Sequence, residues 1–384
     1  MRITAVNTVV VNAEMRNWVF VKVETDEGRV GWGEASLEWH TLGVVGAVED
    51  LTHFVVGEDP CRIEHLYQVM TRQGFWRSGV VGMSAISGIE MACWDILGKT
   101  LNVPVWRLLG GQTRPRIRAY ANGWYQGPRD PRFFADRARE VVAMCYTALK
   151  FDPFGDAYRF ISGDELRRSL AIVGAVREAV GEGIDLLIEA HDRFSVSTAI
   201  EIGRALAEFK PFWYETPVMS SEIEALAEVA RAVPVRVVAG ERSASKGDFA
   251  RLLNTRVIDV VQPEILHCGG VMGLTKIAAL DEAYEAFVAP HNAQSPFTTV
   301  VNSHVGIVLP NMLIQECFDD FLVPWSRDIM SGSVRIVDGY IEAPDGPGFG
   351  VTLNEAEMAK YPYAERNFLR LFQPGWERRT GSTA

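Results

Sequence analysis

The chain has 384 residues, of which 48% are apolar and 23% charged, an ordinary composition for a globular protein with room for two or three domains. Its net charge of −11 argues against nucleic acid as a partner, because binding to phosphates requires clustered Lys and Arg. The five cysteines are widely spaced without a CxxC pair, which favours buried thiols over a disulfide framework or a zinc site. With no signal peptide and no apolar run of roughly 20 residues, we expect a cytoplasmic protein that does not contact a membrane.

Residues 1–115 predict a small α+β domain. Alternating apolar side chains indicate three antiparallel strands, which begin near Ile3, Trp18 and Val30. Helical periodicity follows over residues 42–54 and 85–97, and Gly98 is the expected end of the second helix.

From residue 116 to 330, short apolar segments alternate with amphipathic ones. The predicted strands are 117–121, 148–151, 184–188, 212–214, 235–239, 257–261, 286–289 and 312–314. The predicted helices are 131–143, 163–180, 197–208, 221–232, 246–253 and 272–284. This alternation predicts βαβ units, and eight strands over this length favour a closed α/β barrel. The alternation stops after Met330, and we expect residues 331–384 to pack back on the first domain.

Carboxylates follow three consecutive predicted strands. The spacing from Glu189 to Glu215 to Glu241 is one βα unit each time. Because a barrel gathers the carboxyl ends of its strands on one rim, these side chains should meet. Three clustered carboxylates repel one another unless a cation lies between them, and oxygen ligands of this kind suit Mg²⁺. The sequence therefore predicts one Mg²⁺ per subunit.

Two histidines are expected on the same rim. His191 follows the third predicted strand and His291 the seventh, and Glu264 stands one unit before His291. A carboxylate beside an imidazole fixes its tautomer and raises its basicity, as general acid/base catalysis requires. The other histidines lack such a setting, and we expect His267, although near the rim, to be structural.

Six short motifs carry a family resemblance. They are Gly31-Trp32-Gly33-Glu34, Ala92-Cys93-Trp94-Asp95-Ile96-Leu97-Gly98-Lys99, Glu215-Thr216-Pro217, Gly240-Glu241-Arg242, Gln262-Pro263-Glu264 with Gly269-Gly270, and Pro290-His291-Asn292. In this order and spacing the chain resembles the enolase superfamily over nearly its whole length. The similarity is to the branch of mandelate racemase and the sugar-acid dehydratases, in particular those of the galactonate dehydratase type.

The resemblance implies a modified (β/α)7β TIM barrel, with an α+β capping domain built from both chain ends and one essential Mg²⁺. It implies metal-ligand roles for Glu189, Glu215 and Glu241. His291 with Glu264 resembles the family's base. The remaining roles are Glu316 as the acid that hydrogen-bonds the substrate carboxylate, Lys150 beside that carboxylate, and His191 as the second histidine of the galactonate dehydratases.

Three positions depart from the family pattern. Glu189 and Glu264 stand where Asp is more usual. The second-strand motif reads Lys150-Phe151-Asp152, whereas racemases carry a second lysine as a base. Because racemisation requires a base on each face of the α-carbon, the last departure weakens a racemase assignment.

The expected reaction starts with abstraction of the proton next to a carboxylate. Mg²⁺, Lys150 and Glu316 would stabilise the enediolate, and His291 would take the proton. His191 would then protonate a departing β-hydroxyl, so that an aldonate or aldarate loses water and becomes a 2-keto-3-deoxy acid. A racemase, epimerase or cycloisomerase with the same enolate chemistry, and a barrel that binds sugar acids without turnover, are the alternatives.

Substrate contacts are expected from loops of the first domain and from the first two barrel strands. The candidates are Arg16, Trp18, Trp39, His40, Tyr120, Asn122, Trp124 and Asp152. Their polar members favour a polyhydroxylated acid. The expected partners are this small hydroxy acid and further copies of the chain, in a homo-oligomer between a dimer and an octamer.

Overall fold

A computed structural model describes residues 1–72, 74–334 and 336–365 of the chain. The last part of the predicted tail, residues 366–384, lies outside the described residues.

The chain begins with an antiparallel sheet covered by helices, which together we call the cap. Its strands are β1 (Ile3–Asn12), β2 (Asn17–Thr25) and β3 (Val30–Glu34), paired in the order β1-β2-β3 as predicted. Its helices are α1 (Thr41–Val55), α2 (Ile63–Arg72), α3 (Val80–Leu101) and α4 (Val105–Leu108). Helix α3 is long and apolar enough to cross a membrane, but 72% of its apolar window is buried inside the protein.

The predicted end of α3 at Gly98 is wrong. A Cβ atom on Gly98 would lie 2.6 Å from Cα of Gly348, so this glycine permits close packing of the C-terminal tail. The helix continues to Leu101, and Asn102 ends it in the left-handed conformation, with φ of 57°.

Among the described residues, eight parallel strands form the barrel. They are β4 (Ile117–Ala121), β5 (Ala148–Phe151), β6 (Asp185–Glu189), β7 (Trp213–Glu215), β8 (Val237–Val238), β9 (Val260–Val261), β10 (Phe287–Val288) and β11 (Gln315–Cys317). The strands β4 to β8 pair in sequence, β9 pairs with β10, and β11 pairs with β4. Single bridges from Ala239 to Val261 and from Val288 to Met312 join the remaining neighbours. The barrel is therefore closed.

Each of the first seven barrel strands is followed by a helix. These helices are α5 (Pro131–Ala143), α6 (Gly163–Val180), α7 (Val196–Leu206), α8 (Ile223–Ala232), α9 (Lys246–Asn254), α10 (Gly270–Ala283) and α11 (Pro296–Gly306). Five begin at side chains that accept a hydrogen bond from the first turn, namely Asp130, Ser162, Ser195, Ser245 and Ser295. The predicted (β/α)7β architecture is confirmed.

Buried carboxylates join the cap to the barrel. Glu34 of β3 accepts a hydrogen bond from the hydroxyl of Thr298 on α11, at 2.6 Å. Glu90 of α3 accepts from the backbone N–H groups of Val271 and Met272, both at 2.9 Å. Glu90 therefore satisfies two N–H groups in the first turn of α10 from another domain.

The C-terminal tail contacts both the cap and the barrel. It contains β12 (Met330–Ser331), β13 (Ile336–Val337), β14 (Tyr340–Ile341), β15 (Thr352–Leu353) and α12 (Glu355–Met358). The Asp95 carboxylate accepts from the N–H of Trp32 in the cap and from that of Phe349 in the tail. Strand β14 pairs with β4 of the barrel. The domain boundaries at residues 115 and 330 stay predictions.

Candidate active site

A cavity of about 380 Å³ lies between the carboxyl ends of the barrel strands and the cap. This volume is in the usual range for small-molecule sites, roughly 300–1,000 Å³. From the barrel the cavity is lined by Asn122, Lys150, His191, Glu241, Arg242, His267, His291 and Ala293. From the cap it is lined by Arg16, Leu37, Glu38, Trp39 and Val80.

The three predicted ligand carboxylates meet at this rim. Glu189 and Glu215 are paired in the register of β6 and β7, and Glu241 follows β8. One oxygen atom from each lies within 4.8 Å of the other two. Oε2 of Glu189 is buried without a hydrogen-bond partner, and burial together with the nearby Glu215 carboxylate raises the pKa of Glu189 well above its usual value. A divalent cation would satisfy that oxygen and remove the repulsion, so these residues fit a metal ion.

Lys150 lies at the base of the site between carboxylates. Its Nζ atom is 2.8 Å from Oε1 of both Glu215 and Glu316, and 3.6 Å from Oε2 of Glu189. Burial disfavours the ammonium, but the Glu215 and Glu316 carboxylates outweigh it and raise the pKa of Lys150 well above its usual value. Lys150 is therefore a fixed positive charge rather than a proton acceptor.

Glu316 is an acceptor of hydrogen bonds in this arrangement. Oε1 accepts from Nδ2 of Asn122 at 2.7 Å and from Lys150, and Oε2 accepts from the backbone N–H of Asn292 at 2.8 Å. Burial opposes the charge, yet Lys150 and His291 lower the pKa of Glu316 to about 2. These surroundings stabilise the carboxylate form of Glu316, and its predicted hydrogen bond with the substrate carboxylate stays a prediction.

His291 forms the predicted pair with Glu264. Nδ1 of His291 lies 2.6 Å from Oε2 of Glu264, and Nε2 lies 3.3 Å from Oε2 of the ligand Glu241. Burial opposes protonation, but Glu316, Glu241 and Glu264 raise the pKa of His291 to about 10. With Nδ1 engaged, Nε2 is the atom available for proton transfer.

His191 has a carboxylate partner of its own. Its Nδ1 is hydrogen-bonded to Oδ2 of Asp152, and Oδ1 of Asp152 accepts a hydrogen bond from Arg193 at 2.6 Å. The His191 backbone is left-handed, with φ of 51°, and its N–H donates to Oε1 of Glu189 at 2.6 Å. Strained backbone of this kind is held in place by its surroundings and is common at functional sites. The imidazole of a second carboxylate–imidazole pair therefore lines the cavity beside Glu241.

Two sequence families match the chain. Residues 2–110 match the mandelate racemase/muconate lactonizing enzyme N-terminal domain, and residues 134–357 match the family described as enolase C-terminal domain-like. The chain belongs to the enolase superfamily. Within it, the match of the N-terminal domain is to the mandelate racemase/muconate lactonizing enzymes, as the sequence motifs predicted.

Named relatives cover most of the chain. A D-gluconate dehydratase of Thermoproteus tenax is 39% identical over 89% of this chain and 69% of its own length. A D-gluconate/D-galactonate dehydratase of Picrophilus torridus is 36% identical over 93% of this chain and 92% of its own length. The crystal structure of a mandelate racemase/muconate lactonizing enzyme from Sulfitobacter sp. superimposes with a TM-score of 0.91 at 34% identity, over 97% of this chain and 98% of that one.

Three of the predicted substrate contacts of this enolase superfamily member line the cavity. Arg16 and Trp39 reach it from the cap, and Asn122 from the end of β4. Arg16 donates to the Ala293 carbonyl oxygen at 2.6 Å and forms an ion pair with Glu38. They are the predicted contacts that the structure brings to the same cavity as Glu241.

Other predicted contacts lie elsewhere, and these expectations need correction. Trp18, Tyr120 and Trp124 are buried in the core; Trp124 packs 5.5 Å from the ring of Phe151. His40 is exposed next to the start of α1. Asp152 is fully buried behind His191, so it acts on a substrate only through that imidazole.

Sequence reasoning missed part of the lining. Glu38 and Arg242 had no assigned role, and His267 was expected to be structural, yet all three line the cavity. Arg242 pairs with Glu241 and with Asp192, at 3.2 and 3.0 Å. The Gly240-Glu241-Arg242 motif marked Arg242 in the sequence. The position of Glu38 depends on how the cap docks, which its local sequence does not encode.

Proposed function

We propose that this chain is a Mg²⁺-dependent sugar-acid dehydratase, a carbon–oxygen lyase that converts an aldonate or aldarate to a 2-keto-3-deoxy acid. The observation that carries the proposal is the pair of histidines on one cavity, each with its own carboxylate partner, beside three clustered glutamates. The names of the relatives, D-gluconate and D-galactonate dehydratase, support the same reaction.

Mg²⁺ would be held by Glu189, Glu215 and Glu241. When bound, it would supply positive charge against the negative charge that develops on the substrate carboxylate. The Lys150 ammonium, fixed by Glu215 and Glu316, adds a second positive charge at the same end of the cavity.

The two histidines divide the proton transfers. Nε2 of His291 takes the α-proton, while Glu264 holds the proton on Nδ1 and stabilises the imidazolium. The cation at Glu241 would offset one of the charges that raise the pKa of His291, which leaves the imidazole free to act as a base. His191, supported as an imidazolium by Asp152, gives a proton to the β-hydroxyl as the carbon–oxygen bond breaks. The net change is loss of water, and the enol becomes the keto acid.

An isomerase is the second candidate. Two histidines on one cavity could also exchange a proton on opposite faces of the α-carbon, as a racemase or epimerase requires, and the same enolate could open a ring as in a cycloisomerase. The position where racemases carry a second lysine is Asp152, which is buried against Arg193. That contact favours the dehydratase.

Product analysis separates the candidates. A library of aldonic and aldaric acids is incubated with the protein and Mg²⁺, and keto acids are detected as semicarbazones. Keto-acid formation supports dehydration. Inversion of the α-centre with deuterium incorporation and no keto acid would contradict the dehydratase proposal and support a racemase. Binding without either reaction would indicate a non-catalytic barrel.

The assembly and location of the protein stay predictions. We propose a homo-oligomer between a dimer and an octamer in the cytoplasm. Light scattering coupled to gel filtration measures the mass directly, and a monomer would contradict the first proposal.

A further inference from the structure

His267 lies where the barrel meets the cap. It follows the sixth barrel strand, is 7% exposed, and shares the cavity with His291 and Glu38. Its Nδ1 atom is 2.8 Å from the hydroxyl oxygen of Ser84 on α3.

The hydrogen bonds of Ser84 indicate one tautomer of His267. Ser84 has a single hydroxyl proton, and the carbonyl oxygen of Val80 lies 2.7 Å away as an acceptor for it. When the proton is donated there, the Ser84 oxygen accepts from His267, and Nδ1 carries the ring proton. Burial lowers the pKa of His267, which favours the neutral ring. A neutral imidazole with its proton on Nδ1 has a lone pair on Nε2.

A second acceptor faces the same part of the cavity. Glu38 lines it, and its Oε1 atom accepts hydrogen bonds from Arg16 and, at 2.7 Å, from Nε2 of Gln294. The Arg16 ion pair lowers the pKa of Glu38 although burial opposes the charge. Acceptors at this end of the cavity suit a ligand group that donates hydrogen bonds, whereas an ionised carboxylate offers acceptors only, and Arg16 offsets the charge of Glu38.

We propose that His267 contacts the substrate and accepts, through Nε2, a hydrogen bond from a hydroxyl group on the part of the sugar acid nearest the cap. Because this end presents acceptors, it favours the mono-acids, aldonates, over the di-acids, aldarates. The inference rests on the proposed dehydratase function and adds a specificity residue to it.

A cycle of enzyme and substrate changes tests the contact. Wild type and His267→Phe are assayed with the best aldonate, its aldarate, and analogues that each lack one hydroxyl remote from the carboxylate. In the wild type, kcat/KM should fall about 10-fold for one deoxy analogue, the size of one hydrogen bond. His267→Phe should turn over the aldonate and this deoxy analogue with similar kcat/KM. Its ratio of kcat/KM for the aldarate to that for the aldonate should be higher than in the wild type. If His267→Phe and the wild type show the same ratio of kcat/KM between the aldonate and its deoxy analogue, the proposed contact is overturned.

Further variants separate recognition from structure. His267→Gln keeps a hydrogen-bond acceptor and should recover part of the preference for the aldonate over its deoxy analogue. Ser84→Ala removes the hydrogen-bond partner of Nδ1 and should weaken that preference. Ser303→Ala is the matched control, because Ser303 is also a buried helix serine that donates to a backbone carbonyl. If His267→Phe lowers the melting temperature while discrimination stays at the wild-type value, His267 only joins the domains and the proposal fails.

Binding keeps this test independent of turnover. If the wild type forms no keto acid from any sugar acid, the dehydratase proposal fails, and calorimetric titration of the aldonate and its deoxy analogues then decides the role of His267. Loss of discrimination in His267→Phe would still support the contact, and absence of any aldonate binding to the wild type would overturn it.

Discussion

His291 and Glu264 face each other across a parallel backbone bridge at the ends of neighbouring barrel strands, with Nδ1 of His291 2.6 Å from Oε2 of Glu264. The backbone pairing fixes the carboxylate relative to the ring, even though Glu is one methylene longer than the Asp more usual at this position. Nε2 lies 3.3 Å from Oε2 of Glu241, so the proposed proton acceptor and the proposed metal ligands belong to one site.

Removal of His291 should stop the reaction at its first step. We expect His291→Asn to lose both exchange of the α-proton with D₂O and keto-acid formation, by at least about 10²–10⁴-fold, as for a lost general base. Proton NMR of the recovered substrate measures exchange. His65→Asn, an exposed histidine on α2, is the control and should keep full activity. Exchange at the wild-type rate in His291→Asn would contradict the assignment.

Removal of His191 should separate exchange from dehydration. In His191→Asn the α-proton should still exchange, because His291 is intact, while loss of the hydroxyl should fall by about 10²-fold or more. Asp152→Asn, which keeps the imidazole but changes its partner, should show a smaller effect in the same direction. If exchange and dehydration fall together in both variants, His191 orients the substrate and does not act as the acid.

The carboxylate triad should bind a divalent cation. We expect Glu215→Gln to lose Mg²⁺ binding in calorimetric titration together with activity, and exhaustive chelation to inactivate the wild type. At 100 times its dissociation constant, Mg²⁺ should add about 2.7 kcal/mol to the free energy of unfolding. Glu228→Gln, an exposed carboxylate on α8, is the control. Full activity of a preparation shown by metal analysis to be cation-free would refute the site.

Stability should depend on pH through Asp281. Both carboxylate oxygens of this buried residue on α10 lack a hydrogen-bond partner, and burial raises the pKa of Asp281 to about 8. Because the folded state holds the proton more tightly than the unfolded state, this contribution to stability is full below pH 4 and is lost as the pH rises to 8. Asp281→Asn stays neutral, so it should be more stable than the wild type at pH 8.

Urea unfolding at pH 5 and pH 8 measures that difference. The gain of Asp281→Asn over the wild type should be larger at pH 8, by about 1–3 kcal/mol. Asp50→Asn, an exposed position on α1, should show the same difference at both pH values. A gain for Asp281→Asn that does not change with pH would rule out the buried carboxylate as its cause.

The barrel and its rim could be predicted because their signal is local. Each of the three clustered glutamates ends or directly follows an apolar strand. The regular spacing of the strands along the sequence therefore predicts its position on the rim. Helix α11 was missed because its buried face includes Thr298, Asn302 and His304, and a helix buried on all sides has no amphipathic periodicity. The strands β8 to β10 are shorter than predicted, since each apolar run extends beyond the residues that pair in the barrel.

The cap side of the cavity could not be predicted because its contacts are distant in sequence. His267 meets Ser84, 183 residues earlier, and neither residue has a local pattern that indicates the other. The tryptophans failed for another reason. Tryptophan is common both at binding surfaces and in cores, so its presence in the sequence does not show which role it has. The burial of Trp18 and Trp124 places both in the core.

The carboxylates of Glu34, Glu90 and Asp95 have a consequence for recombination between relatives. Each is buried and takes hydrogen bonds from a different segment outside its own element. A chimera that receives a cap without these carboxylates would leave the donors of α10, α11 and the tail buried without acceptors at the junction. New specificities in this scaffold should therefore arise more readily by substitution within cap loops than by exchange of whole caps, and grafts that succeed should carry these three acidic residues with them.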